Sequence, residues 1–394
     1  MSRLWDKGLP LDERVLRYTA GEDHLLDARL VAYDVQGSIA HAEMLAATNL
    51  ISDEDCASIC SGLVQLGDEF AAGDWAISLA DEDAHTALET RLTKNIGEAG
   101  ARLHLGRSRN DQVLTALRLY LRDAADDLAD RVSELCVSIT SLSERHGDIP
   151  LPGYTHMQHA MPSSVKLWCG GFDENLADAV AGLQAVRRRI NKSPLGSAAG
   201  YGTPGLPIDR EQTSSKLGFD APQEPVTAVQ LSRGKAEAAL LFEVTLLTQD
   251  MGRMASDLLL FYTQEFAYIS LAADITTGSS IMPQKRNPDV LELIRASSAT
   301  AQACLDESLM ITAKLPSGYQ RDLQRLKAPL FRGIDLAVES VDIMANLLDG
   351  LRFIPENISL DPGIYAAEEA NRLVRDEGLP FREAYRRIAE RYTK

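Results

Sequence analysis

The stretch "NDQVLTALRLYLRDAADDLADRVSELCVSITSLSERH", residues 110 to 146, decides how the rest of the chain is read. Leu117, Leu121, Ala124, Leu128, Val132, Leu135, Ile139 and Leu142 recur in steps of three and four, and no proline interrupts them before Pro150. Such steps put the apolar side chains on one side of an α-helix. The spacing predicts one helix from Asn110 to about His146, roughly 55 Å long at ~1.5 Å per residue.

A helix of that length needs long neighbours, and the sequence supplies them. One stripe runs Leu240, Val244, Leu247, Met251, Met254, Leu258, Phe261, and another Leu330, Ile334, Ala337, Val341, Met344, Leu348. Both alternate fours and threes, the seam of helices packed along their length. Trp168, Phe172, Ala179, Leu183, Val186 and Ile190 sketch a fourth helix, and residues 289 to 313 a fifth. The expected class is all-α. A long-helix bundle over 107–354 follows an N-terminal domain of shorter helices over 1–106, with caps such as Ser52-Asp53-Glu54-Asp55. A short helical C-terminal domain covers 355–394. Strand signals are sparse. Stripes this long expose more apolar surface than one bundle hides, so bundles are expected to associate.

Bulk properties narrow the function classes. A net charge of -17 over 394 residues argues against nucleic-acid and membrane-surface partners, which call for a cationic face. No apolar run reaches membrane-spanning length, and "MSRLWDKGLPLDERV" lacks the apolar core of a signal peptide. The five cysteines, Cys56, Cys60, Cys136, Cys169 and Cys304, are odd in number and scattered, which suits reduced thiols in a cytoplasm. Cys56 and Cys60 can share a helix face, but no further ligand lies nearby, so they are expected to pack.

Polar knots interrupt the helices. In "DEDAHTALE", His85 and Glu89 share one helix face, which taken alone reads as a solvated surface. In "HLGRSRNDQ", Arg107 and Arg109 flank Ser108 where the long helix begins, and Asn110 or Asp111 can cap it. Two arginines at the positive end of a helix dipole are unfavourable for folding and favourable for holding a carboxylate. "GYTHMQHAMP" reads as a loop in which Thr155 and His156 can supply an acid–base group or simply be exposed. His156 and His159 lack a third partner for a metal, and none is expected. In "TTGSSIMPQKRNPDVLEL", Gly278, Ser279, Ser280, Lys285, Arg286 and Asn287 crowd into one loop before Pro288 restarts a helix. The phosphate-binding Gly-x4-Gly-Lys-Ser/Thr pattern is absent. A serine here can be nucleophile or base, and either needs its alkoxide stabilised by cations or N–H groups. "LPSGYQRDLQRLK" adds Tyr319, Gln324 and Lys327, the last of which alone would read as surface charge.

The loop "GSSIMPQKRNP" resembles the signature of the fumarase/aspartase superfamily, whose members release fumarate by β-elimination. "GRSRNDQV", "GYTHMQHAMP", "SPLGSAAGYGTPGLPIDRE" and "LPSGYQRDLQ" make the chain similar to the argininosuccinate lyase family, from about Leu4 to about Arg386. The resemblance implies a three-domain, largely helical fold whose central bundles form a homotetramer with active sites shared between subunits. It implies cleavage of argininosuccinate to arginine and fumarate in arginine biosynthesis, without a cofactor. It makes Ser279 the base and His156 the acid or acid-supporting group. It gives Asn110, Thr155, Asn287, Tyr319, Gln324 and Lys327 the task of holding substrate, with Ser108, Arg109 and Lys285 as further contacts and His85 close by.

Three places depart from the family pattern. Where a substrate-binding serine is usual, aligning on Asp27, Leu30 and Asp34 puts Asp23. A carboxylate facing a substrate carboxylate is repulsive, so Asp23 is expected to point away, with Thr19, Gly21 or His24 substituting. The usual Ser-Asp-Arg-Asp run appears as Leu231-Ser232-Arg233-Gly234, and the C-terminal domain is short. Two other readings compete: another fumarate-releasing lyase of the superfamily, of adenylosuccinate or aspartate type, and an inactive structural, crystallin-like homologue.

Overall fold

The computed structural model describes residues 12–392. The first eleven residues of the expected N-terminal domain, and with them most of "MSRLWDKGLPLDERV", lie outside the described residues, as do the last two of the tail. Long helices dominate. The decisive stretch is one helix, Arg109–His146, 38 residues and about 57 Å long. The other stripes are the helices Val165–Ile190, Lys235–Tyr262, Asp289–Thr312 and Lys327–Gly350. Burial follows the seam: Leu117, Leu121, Leu128, Val132, Leu135, Ile139 and Leu142 are each at most 1% exposed. One position shifts. Ala125, not Ala124, takes the buried place between Leu121 and Leu128, since four then three keeps the helical phase as well as three then four.

Ser52 caps the helix Asp53–Ala71, its side chain accepting the Asp55 N–H at 3.1 Å. At the long helix the cap is Ser108, two residues before Asn110, the earlier of the two expected caps. Ser108 accepts the Asn110 N–H at 3.3 Å, and the Asp111 carboxylate reaches back to the Ser108 N–H at 3.0 Å. That reciprocal arrangement satisfies two N–H groups that the first turn leaves without helical partners.

The chain divides into two compact units, each assembled from separated stretches. Of the described residues, the first unit takes 12–127, 183–242 and 303–334. Its apolar core joins the helices Val31–Ala47, Asp53–Ala71 and Ala84–Ile96 through Met44, Leu45, Ile59, Leu63, Leu88 and Leu92. Cys56 and Cys60 pack against that core as expected. A smaller cluster of Ala40, Leu119, Leu195, Leu217 and Phe219 fixes the opening turns of the long helix.

The second unit takes 128–182, 243–302 and the described residues from 335 onward. Here "GYTHMQHAMP" is not a loop but most of an antiparallel hairpin, strand Pro150–Thr155 against Gln158–Ser164. The prolines at 150, 152 and 162 hide it from a strand pattern, because proline supplies no N–H to a ladder. His156 and Met157 form its tip, at φ 53° and 60°. Two successive positive angles are what a two-residue hairpin turn demands. Further along, Thr277–Gly278 pairs with Arg286–Asn287, pinching residues 279–285 into a closed loop. The helices Ala366–Glu377 and Phe381–Tyr392 close on Ala370, Ala384 and Ile388.

Candidate active site

In the first unit, a polar cavity of about 140 Å³ gathers His85, Arg109, Asn110, Tyr319, Gln324 and Lys327, which the sequence places in three different knots. Asp23, Asp83, Arg233 and Arg321 join them there. The surface readings of His85 and Lys327 are overturned: His85 is 5% exposed and Lys327 3%.

Most of the buried charges are held by opposite ones. His85 lies between two carboxylates, Nδ1 at 3.2 Å from Asp34 and Nε2 at 3.3 Å from Asp83. Burial alone lowers the pKa of this ring, but Asp83 and Asp34 outweigh it and push the value up to about 9, so His85 is imidazolium at neutral pH. Asp83 also receives Arg109, and burial, which would raise its pKa, is overcome by His85 and Arg109. Asp34 is locked further by Gln112 at 2.9 Å and Ser38 at 3.2 Å. The two arginines of the knot therefore separate. Arg109 reaches the cavity, whereas Arg107 is buried beneath it and donates to Ser38 at 2.8 Å. Glu89, the helix-face partner of His85, serves His104 instead, at 3.4 Å.

Lys327 starts the helix Lys327–Gly350 and donates to Asp27 at 2.5 Å and to Asp23 at 3.2 Å. Burial opposes its charge, but the two carboxylates raise its pKa. Asp23 thus does not point away. It lines the cavity, because the buried ammonium gives its carboxylate a partner that solvent cannot replace. Burial still dominates and pushes Asp23 up to about 6. None of the expected substitutes lines the cavity: the Thr19 hydroxyl is spent on the Val15 carbonyl at 2.8 Å, and its own carbonyl accepts from Gln324 at 2.9 Å and Arg321 at 2.8 Å.

The second unit holds the remaining candidates on exposed segments. Thr155 ends the first hairpin strand, and His156 follows at the tip. Left-handed backbone costs a side-chain-bearing residue about 1–2 kcal/mol, so this tip spends folding energy on presentation. His159 is separated from His156 in role: its Nε2 meets the Tyr154 hydroxyl at 2.9 Å. In the loop 279–285, the Ser279 hydroxyl oxygen accepts the N–H groups of Ile281 at 3.3 Å and Met282 at 3.1 Å. Lys285 is exposed and Asn287 is fixed by its pairing with Thr277. Ser108 is a cap and does not line the cavity of the first unit.

Sequence reasoning did not assign Asp83, Asp27, Asp34, Arg233 or Arg321 to a site. Signals existed for some of them: Asp83 sits in the quoted "DEDAHTALE", and Arg233 is the one residue kept from a familiar run.

Helices of this length, polar knots at their ends and a serine loop closed by a small ladder define a helical lyase of the fumarase/aspartase type. Residues 13–303 match the lyase family model. A solved structure of EDDS lyase with formate superposes with a TM-score of 0.82 at 27% identity, covering 97% of this chain and 76% of the other. The class II fumarase of Schistosoma mansoni shares the fold at TM-score 0.79 and 18% identity, over 98% of this chain and 91% of that one. The argininosuccinate lyase of Sorangium cellulosum is 44% identical over 98% of this chain and 90% of its own length. That of Thermotoga neapolitana is 39% identical, over 99% and 98%. The chain belongs to the argininosuccinate lyase family.

Proposed function

We propose that this lyase cleaves argininosuccinate into arginine and fumarate, with Ser279 as base and His156 as the acid-side group. The observation that carries the chemistry is the pair of backbone N–H groups donating to the Ser279 oxygen. Serine is a poor base because its alkoxide is unstable, and fixed N–H donors stabilise developing negative charge on that oxygen without reorganising. In this reading Ser279 takes a proton from the carbon beside a carboxylate, and the electron pair is held as an aci-carboxylate. The carbon–nitrogen bond then breaks, its electrons pass to the guanidino nitrogen, and a proton supplied through His156 completes arginine. Asn110, Thr155, Asn287, Tyr319, Gln324 and Lys327 hold the substrate, with Arg109, Lys285 and His85 as supporting contacts.

The same reading makes the protein a cytoplasmic homotetramer of three-domain subunits divided at 1–106, 107–354 and 355–394. Support for assembly comes from apolar residues left exposed on helices, among them Val137, Leu167, Leu293 and Met310. Such residues on long bundle helices call for cover. Purified protein incubated with argininosuccinate should release fumarate, read by its ultraviolet absorbance. Release from adenylosuccinate or aspartate but not argininosuccinate would replace this reading with the second lyase reading. Silence with all three would favour a structural homologue.

A further inference from the structure

The cavity of the first unit is charged in a way that the elimination chemistry does not use. Its ion pairs mostly cancel: His85 and Arg109 are matched by Asp34 and Asp83, and Arg321 by Glu82 at 3.9 Å. Two groups remain. Lys327 has one positive charge for two carboxylates, and Asp27 is the nearer, at 2.5 Å against 3.2 Å for Asp23. Asp23 is therefore a surplus anion facing the cavity. Arg233 is the opposite case. It is 6% exposed, and its Nε and Nη1 donors are buried with no hydrogen-bond partner. Its guanidinium stacks on Tyr319, 5.4 Å from the ring centre, a contact that fixes orientation without using N–H donors. Burial disfavours this charge; Tyr319, Glu237 and Asp23 attract it and Arg118 opposes it, yet none of them accepts a hydrogen bond from Nε or Nη1.

A buried guanidinium with idle donors is costly unless an acceptor arrives. A small cavity bearing one surplus carboxylate and one guanidinium with idle donors is complementary to a zwitterion. We propose that Asp23 and Arg233 form a clamp for the α-amino-acid end of the substrate. Asp23 takes the α-ammonium, and Arg233 takes the α-carboxylate beside Tyr319. This rests on the arginine-releasing reading above, and it reverses the expected effect of placing an aspartate at position 23. The carboxylate there does not face a substrate carboxylate; it selects for a cation. Lys327, already doubly paired, orients Asp23 while keeping its place among the groups that hold the substrate.

Calorimetric binding of three probes to the full protein separates the parts: arginine, 5-guanidinovalerate, which lacks the ammonium, and agmatine, which lacks the carboxylate. Wild type should bind arginine at least about tenfold more tightly than either analogue, since each analogue leaves one buried charge unmatched. Asp23→Asn, nearly isosteric, should bring the arginine to 5-guanidinovalerate ratio close to one while keeping the preference over agmatine. Arg233→Lys should do the reverse, with circular dichroism checking that the buried lysine is tolerated. Equal binding of all three probes by wild type overturns the clamp. So does an Asp23→Asn protein that keeps its preference over 5-guanidinovalerate, or one that binds arginine more tightly. Fumarate release from argininosuccinate by wild type is measured alongside. If release occurs and discrimination does not, the clamp alone falls; if release itself is absent, the functional reading falls with it.

Discussion

The cavity of the first unit and the serine loop of the second hold their polar groups in opposite ways. In the cavity nearly every charge is buried and spoken for; Lys327 alone is gripped by two carboxylates within 3.2 Å. In the loop, Ser279 is half-buried and Lys285 exposed, and a two-residue ladder plus two N–H bonds to one oxygen hold the segment. Preorganised charge must be paid for in folding, because an ion removed from water needs a partner before the substrate arrives. A reacting group has the opposite requirement, since it must approach its proton and leave again. Mutations at the two places should therefore fail differently, the loop losing rate and the cavity losing stability.

The largest expected effect is on rate. Ser279→Ala should lower kcat about 10,000-fold, the upper range for removing a positioned base, with a nearly unchanged melting temperature because the residue is only half-buried and anchors no core. A variant with wild-type turnover in the fumarate assay would move the base to Ser280. Next comes Lys327→Met, which strands Asp27 and Asp23 in the interior. Urea unfolding should show a loss of about 3–5 kcal/mol, whereas exposed Lys285→Met should change stability by less than about 0.5 kcal/mol. Equal stability of the two lysine variants would break the contrast.

How much of this was legible in the sequence follows the same division. The long helices were, because Leu117 through Leu142 repeat over a distance that no other element spans, and burial enforces the repeat. The hairpin at 150–164 was not, because its prolines mask a strand pattern and its tip lacks the usual glycine or asparagine. The motifs pointed to the cavity residues but not to their state. Lys327 looked like surface charge because Asp27, the partner that fixes it, lies 300 residues away in the chain. Asp23 was judged against an absent serine, when its environment is set by Lys327 at 3.2 Å. Sequence identifies which groups are present; only the fold shows which charges are already cancelled.

A medium effect tests that cancellation by pH. His85 has a folded pKa of about 9, well above the ordinary histidine value of ~6.5. Its pairing with Asp34 and Asp83 therefore contributes fully below pH ~6.5 and is lost as pH rises through about 9. The unfolding free energy should fall by on the order of 2 kcal/mol across that window, and His85→Gln should flatten the fall. An identical slope in both proteins would mean that the two carboxylates do not hold the ring as an imidazolium.

The smallest effect sharpens where the cavity ends and ordinary helix capping begins. Ser108 stands beside Arg109 and Asn110, and resemblance alone makes its hydroxyl a substrate contact. In the structure that oxygen already accepts the Asn110 N–H at 3.3 Å. The Asp111 carboxylate that completes the cap does not depend on it, being held by the N–H groups of Ser108 at 3.0 Å, Gly196 at 3.0 Å and Ala198 at 2.8 Å. Ser108→Ala should therefore cost about 1 kcal/mol in urea unfolding, the ordinary worth of a cap, and leave KM within about threefold of wild type. A tenfold rise in KM with no loss of stability would reverse the assignment and return the hydroxyl to the substrate. The two measurements separate the roles, because the cap uses the oxygen as an acceptor in the first turn of a 38-residue helix, whereas a substrate contact would use the hydroxyl's remaining O–H donor and so move KM.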